Sequence, residues 1–125
     1  MKDTVQIILI GVAAVILYDV VGSLASLSLG FNYQWLVFGS LVIYSVVGYF
    51  SGKRKNAAFG FLAGALMGLV DSTLGWYISW IIGPGKSEIE MDATMILGTI
   101  AIVTILAALF GLIGGFAART ANTTA

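Results

Sequence analysis

Four long apolar segments, each free of lysine and arginine, constrain the fold of this chain more than any other feature of its sequence. They cover residues 5–29, 33–50, 57–82 and 93–117. A helix that crosses the hydrocarbon core of a bilayer needs roughly 20 mainly apolar residues. Because the connections between the segments are short, the sequence predicts one transmembrane domain over residues 1–125, an all-α membrane protein with four transmembrane helices in an antiparallel bundle. The first segment is long and contains Asp19, which favours a retained helix over a cleaved signal peptide.

The two halves of the chain resemble each other weakly. Helix one reads Leu-Tyr-Asp up to Asp19, helix three reads Leu-Val-Asp up to Asp71, and helices two and four both end in glycines followed by a basic residue. Duplicated two-helix units would repeat about an axis along the membrane normal. Biased composition also produces such similarities, because apolar helices share few residue types. A two-fold internal repeat therefore stays one of two interpretations.

The composition agrees with a membrane protein and excludes several kinds of chemistry. The chain is 59% hydrophobic and 10% charged, whereas soluble domains carry about 25% charged residues. It contains no cysteine and no histidine, which excludes disulfides, thiol redox chemistry, imidazole ligation and the usual zinc sites. We therefore expect no cofactor and no metal site. An enzyme is the least favoured class, because no nucleophile and base pair is visible.

The distribution of lysine and arginine predicts how the helices are oriented. Cytoplasmic loops hold the excess of these residues, and the second connection carries Lys53, Arg54 and Lys55 while the first carries no charge. We therefore expect both termini to be cytoplasmic, in a plasma membrane of bacterial type. The acidic third connection, with Glu88 and Glu90, is expected to be a solvated loop, because its spacing matches no full set of cation ligands. Zero net charge and one short basic cluster give nucleic-acid binding little support.

Small residues recur along helices three and four at intervals of three or four. The candidate packing residues are Gly60, Gly64, Gly68 and Gly75 in helix three, and Gly111 and Gly115 in helix four. Helices in lipid gain no hydrophobic driving force when they meet, so close backbone approach matters more. These stripes hold one chain together, or at least one of them forms an interface in a homo-oligomer or with a partner membrane protein. Residues 47–54 and the glycines that follow look like small bacterial membrane proteins with a Gly-x-x-x-Gly-basic step, which implies no activity.

Two aspartates lie inside the apolar segments, where ionisable groups are costly, rare and usually functional. From a rise of about 1.5 Å per residue, Asp19 lies about 15 Å below the outer end of helix one and Asp71 about 18 Å below that of helix three. Both positions are near the midplane of a roughly 30 Å core. The same measure brings the other members of one predicted polar layer to this depth: Tyr44, Ser45, Ser72 and Thr104.

No lysine, arginine or histidine lies within the four segments to neutralise the two carboxyls. Protonation, hydrogen bonds to hydroxyls, or a bound cation are the remaining possibilities. The polar layer is therefore a ligand or ion pathway, or a hydrogen-bonded contact between helices. The favoured hypothesis is an oligomeric membrane protein in which Asp19 and Asp71 pass or exchange protons, cations or a small cationic solute. The alternative is a non-catalytic accessory or scaffold subunit that docks onto a larger membrane complex through its glycine stripes.

Overall fold

The structure, a computed structural model, describes residues 2–84 and 90–124, which are helical apart from the connections. Helix α1 covers Lys2–Leu29, and a 3₁₀ turn at Tyr33–Trp35 leads into α2 at Leu36–Arg54. The remaining elements are α3 at Ala57–Val70, a π-helical turn at Asp71–Gly75, α4 at Trp76–Ile82 and α5 at Ala93–Thr124. The described residues contain no strand. The predicted all-helical class is therefore confirmed.

Four helical segments are long and apolar enough to cross a membrane, as the sequence predicts, when α3, the π turn and α4 are counted as one. These segments are Asp3–Leu29, Tyr33–Arg54, Ala57–Ile82 and Ala93–Ala121. The helices extend beyond the predicted apolar runs, since α1 begins at Lys2, α2 continues to Arg54 and α5 continues to Thr124. The reason is that composition marks the apolar part of a helix, whereas polar and charged residues continue the last turns.

Side chains that accept hydrogen bonds from backbone N–H groups mark the start of two helices. The Asn56 side chain accepts from the N–H of Phe59 at 3.2 Å, at the beginning of α3. Asp92 accepts from the N–H of Met95 at 2.8 Å, at the beginning of α5. Asparagine and aspartate favour this position because their oxygens satisfy N–H groups that have no partner within the helix. Glu88, in the predicted acidic loop, lies outside the described residues.

Helices α2, α3 and α5 pack with their backbones in direct contact. A methyl group added to Gly48 would overlap the backbone of Gly111, and one added to Gly60 would overlap the carbonyl oxygen of Gly111. Gly64 faces the carbonyl oxygen of Ala107 in the same way. Such an approach requires glycine, because any larger residue would separate the helices. We call α2, α3 and α5 the three-helix frame.

Helix α1 is held differently. It packs against α2, α3, the π turn and α4, and it makes no contact with α5 in the described parts of the chain. Its glycines face side chains, since Gly11 lies against Val47 and Met67, and Gly22 lies against Leu36. The buried apolar cluster that joins α1 to the frame is small and consists of Val15, Tyr44, Val47, Ala63, Met67 and Ala107.

The first half of α5 stands apart from the other helices. The first buried residue of α5 is Ala107. A methyl group added to Gly98 would have no neighbour within 4 Å among the described residues. No Cα atom of α4 lies within 8 Å of a Cα atom of α5 in the same part of the chain. The backbones of α4 and of the beginning of α5 are therefore not closely packed against each other.

Candidate functional site

Two carboxyl groups meet inside the helix assembly, one from α1 and one from the π turn. Asp19 is only 3% exposed, and its side chain lies within hydrogen-bonding range of Asp71. Both carboxyls lie beside Gly75, where an added methyl group would overlap Asp19 Oδ2 and stand 2.9 Å from Asp71 Oδ1. The absence of a side chain at Gly75 therefore leaves room for the pair.

The carboxyl of Asp19 has an unusual hydrogen-bonding position. Its Oδ2 atom is buried and receives no hydrogen bond from any N–H or hydroxyl group in the described residues. Its neighbour is the other carboxyl, and a carboxyl oxygen donates a hydrogen bond only when it carries a proton. Two ionised carboxylates this close would repel each other strongly. The pair is therefore stable with a shared proton or with a cation between the two groups.

Tyr44 of α2 fixes the position of the Asp71 carboxyl. Its hydroxyl donates a hydrogen bond to Asp71 Oδ2, while Oδ1 lies on the side of Gly75 and Asp19. Tyr44 is 2% exposed, and Ser40, one helical turn earlier on α2, is buried as well. One Asp71 oxygen is thus held by the frame, and the other faces α1.

The π turn places Asp71 and Gly75 beside α1. The N–H of Trp76 donates to the carbonyl of Asp71, five residues earlier. The hydroxyls of Ser72 and Thr73 donate to the carbonyl of Leu69 at 3.3 and 2.6 Å, where the hydrogen-bond spacing changes. A π turn inserts one extra residue into a helix and occurs frequently at functional sites. The local sequence thus supplies hydroxyls at the point where the regular helix is interrupted.

A cavity of about 870 Å³ lies over the carboxyl pair. Its polar wall includes Asp19, Tyr44, Asp71 and Ser72. The carboxyls therefore face a space large enough for a ligand instead of being sealed between helices. We call this space the carboxyl cavity.

The rest of the carboxyl cavity is mainly apolar and aromatic. Its aliphatic lining comes from α2 and α5 and consists of Leu36, Val37, Leu41, Val103 and Leu106. Tyr33 and Trp76 also line it, and so does Thr99 in the first half of α5. Because Trp76 begins α4 and Thr99 belongs to α5, the cavity extends to both of these helices.

The structure brings together four of the six residues of the predicted polar layer, which are Asp19, Tyr44, Asp71 and Ser72. Ser45 does not join them. Its hydroxyl donates to the Leu41 carbonyl at 2.9 Å, and it lines a separate groove of about 380 Å³ on the other side of α2. The physical reason is that neighbouring residues on a helix point about 100° apart.

Thr104 lies in the contact between α3 and α5. A methyl group added to Gly68 would be 3.1 Å from the Thr104 Cα atom. The Thr104 hydroxyl is buried without a hydrogen-bond partner among the described residues, and this residue is not part of the cavity lining. Thr104 therefore lies at the predicted depth of the polar layer, but its side chain does not face the carboxyl cavity.

The glycines of the two predicted stripes are covered within one chain. Gly60, Gly64, Gly68, Gly111 and Gly115 are all buried, and each faces a neighbouring helix of the frame. Gly75 differs, because it faces the carboxyls and not a helix backbone. The buried glycines therefore leave little surface for contact with another chain.

Three aromatic residues near the site are not predicted as site residues from the sequence. The Tyr18 hydroxyl donates to the carbonyl of Leu36 at 2.8 Å and links α1 to α2, while Tyr33 and Trp76 line the cavity. The only sequence feature that points to Tyr18 as a residue near the site is its position next to Asp19. Nothing in the sequence shows that Tyr33 and Trp76 face a cavity, because aromatic residues near helix ends are also typical of membrane interfaces.

These features define a class of protein, namely an all-helical chain with four helices long enough to cross a membrane and a pair of neighbouring carboxyls at a cavity. Comparison with protein families, curated proteins and solved structures finds no match for this chain. The function is therefore argued from the residues of the site, since a fold by itself does not determine function.

Proposed function

We propose that this chain is an integral membrane protein whose four helices span the bilayer as an antiparallel bundle. Large apolar side chains are exposed along the helices, as shown by Leu17 at 64%, Val42 at 61% and Leu97 at 66%. Soluble monomers rarely expose large contiguous apolar patches. In a bilayer the same side chains face lipid, while Asp19 is buried among the helices, as expected for an ionisable residue in a span.

The proposed orientation places both termini and Lys53 on the cytoplasmic side of a plasma membrane of bacterial type. Arg54 at the end of α2 forms an ion pair with Asp3 near the beginning of α1, with 3.0 Å between the atoms. These two helix ends therefore lie at the same end of the bundle. The carboxyl cavity reaches Tyr33, at the beginning of the segment that ends at Arg54. In this orientation the cavity opens on the side away from the cytoplasm.

We propose that Asp19 and Asp71 exchange protons for cations or for a small cationic solute. The observation that carries this proposal is a pair of carboxyls, the buried Asp19 and the half-buried Asp71, that line one cavity. An aspartate at the centre of a spanning helix costs roughly 2.5 to 3.5 kcal/mol, while a hydrogen bond between spanning helices contributes about 0.6 kcal/mol on average. The free energy gained from a hydrogen bond between helices is therefore too small to explain why two aspartates are kept at one place.

The chemistry follows from the geometry of the pair. With a shared proton, the repulsion between the two carboxyls is reduced and the pair needs no other partner. When the proton leaves, the negative charge that remains attracts a cation from the cavity. A proton and a cation thus compete for the space between Asp19 Oδ2 and Asp71 Oδ1, which is the condition for exchange. Tyr44 holds the other oxygen of Asp71 throughout.

Flux in liposomes that contain only the purified protein tests this function. Asp19→Asn and Asp71→Asn remove the ionisable group but keep its size, so we expect each variant to reduce cation flux driven by a pH gradient by about tenfold or more. Asp3→Asn is the matched control, because this carboxyl is exposed at the beginning of α1. Unchanged flux in both site variants, with normal insertion into the liposomes, would overturn the proposal.

An accessory subunit that assembles through glycine stripes is the weaker alternative, because the glycines of α3 and α5 face each other within one chain. A homo-oligomer or a complex with a partner membrane protein would use other surfaces, such as the exposed first half of α5. The liposome experiment separates the two functions. Aspartate-dependent flux from the purified protein alone argues against a purely accessory role.

A further inference from the structure

We propose that the solute bound by the carboxyl pair is an organic monocation with an apolar body. This inference rests on the proposed exchange function and goes beyond it by naming the class of solute. Three features carry it: the volume of the carboxyl cavity, the oxygen atoms available for a cation, and the lining of the cavity.

The volume matches an organic molecule. The cavity measures about 870 Å³, within the range of roughly 300 to 1,000 Å³ that is typical of small-molecule sites. A water molecule takes up about 30 Å³ in the liquid. A single metal ion with one or two waters would therefore leave most of the space unused.

The oxygen atoms around the pair do not form a metal shell. Calcium takes six to eight oxygen ligands, and the described residues contain no cluster of three or more aspartate, glutamate, histidine or cysteine side chains. Asp19 and Asp71 are the carboxyl groups of the cavity lining, so a calcium ion there would need most of its ligands from neutral oxygens. The site thus offers negative charge without a set of carboxylate ligands. A substituted ammonium group is satisfied by this arrangement, because it carries its own alkyl groups and needs a charge but no complete oxygen shell.

The lining of the cavity suits an apolar body attached to the charge. Aliphatic side chains from α2 and α5 form much of the wall, and Tyr33 and Trp76 add aromatic rings. Burial of apolar surface contributes about 25 cal/mol per Å². Aromatic rings also attract ammonium groups through cation–π interactions. A small inorganic ion would gain from neither contribution.

Three monovalent probes distinguish the contribution of the charge to binding from the contribution of an apolar body. They are benzyltrimethylammonium, tetramethylammonium and Na⁺. Calorimetric titration of the detergent-purified full chain measures their binding. We expect benzyltrimethylammonium to bind at least about tenfold more tightly than tetramethylammonium, because its ring adds apolar contact. Asp71→Asn is expected to weaken benzyltrimethylammonium binding about tenfold or more through loss of the charge.

A second variant fills the cavity without touching the carboxyls. Thr99→Trp places a large ring in the lining on α5, and we expect it to weaken benzyltrimethylammonium binding by about tenfold. The matched control is Ile102→Trp on the same helix, since Ile102 is 61% exposed and does not line the cavity. Equal thermal unfolding temperatures of the two tryptophan variants show that a binding difference is not a folding defect.

Each outcome decides the matter. Tight benzyltrimethylammonium binding that is lost in Asp71→Asn and Thr99→Trp supports the inference. Aspartate-dependent Na⁺ flux in liposomes without benzyltrimethylammonium binding overturns the inference and leaves the proposed exchange function standing. Equal benzyltrimethylammonium binding in the wild type and both variants also overturns it, because the site would then lie elsewhere. The absence of aspartate-dependent flux for every cation overturns the proposed function as well.

Discussion

At the scale of single residues, the carboxyl pair depends on a residue that has no side chain. Gly75 lies four residues after Asp71 within the π turn and borders both carboxyls. The pair therefore combines three requirements: an aspartate on α1, an aspartate on the π turn, and empty space between them. Two of these are visible as unusual residues in an apolar sequence, while the third is visible only in three dimensions.

Gly75→Ala tests the requirement for space. The added methyl group would overlap Asp19 Oδ2, so we expect the carboxyls to separate and cation flux in liposomes to fall about tenfold, with a loss of stability of about 1 to 3 kcal/mol from overpacking. Gly98→Ala is the control, because its methyl group would have no neighbour within 4 Å among the described residues. Full flux in Gly75→Ala would show that the close approach of the carboxyls is not needed.

The sequence predicts individual site residues unequally. Asp19 and Asp71 stand out because charged residues in apolar runs are rare. The rise per residue of a helix also predicts the depth of Tyr44 in the membrane. The same calculation gives nearly the same depth for Ser45, which faces another groove. Depth along a helix says nothing about the direction of a side chain. That direction depends on helix rotation, which is set by packing against the neighbouring helices.

At the scale of helices and turns, the third segment is predicted only in part from the sequence. Its bounds at residues 57–82 agree with the helical segment Ala57–Ile82, since apolar composition and turn residues mark both ends. The π turn inside it is not predicted. One extra residue changes the periodicity of an apolar helix too little to be read from composition. Ser72 and Thr73 bond to the Leu69 carbonyl, but hydroxyl residues also occur in regular helices.

Deletion of Thr73 tests whether the π turn serves the site. Removing one residue would restore regular α-helical spacing and place Gly75 three residues after Asp71 instead of four, which would change how Gly75 and Asp71 face Asp19. We expect helix content measured by circular dichroism to stay near that of the wild type while cation flux is lost. Deletion of Ile81, which is 69% exposed near the end of α4, keeps the π turn and is the control. Normal flux after deletion of Thr73 would mean that the extra residue has no role in the site.

At the scale of the whole molecule, the two ends of the proposed bundle differ in their charge and in their distance from the carboxyl cavity. Lys53, Arg54 and Lys55 lie at one end, where Arg54 pairs with Asp3. The carboxyl cavity reaches the opposite end at Tyr33 and Gln34. The proposed orientation therefore separates the basic cluster from the entrance of the cavity.

Single cysteine variants test this orientation, because the chain contains no cysteine of its own. In intact cells we expect a membrane-impermeant maleimide to label Gln34→Cys, and to label Lys53→Cys only after the membrane is permeabilised. Both residues are exposed in the structure. The reverse labelling pattern would contradict the orientation, and labelling of both variants in intact cells would contradict a single orientation.

The two kinds of helix contact have a mechanical consequence. Within the frame, backbones meet at Gly48, Gly60 and Gly111, so these helices cannot slide past each other without steric overlap. Helix α1 rests on side chains, which change rotamer at much lower cost, and α1 carries Asp19. A shift of α1 by about 1.5 Å, the rise of one residue, would alter the separation of the carboxyls and leave the frame intact. Under the proposed exchange function, displacement of this one helix would change the affinity of the carboxyl pair for a proton.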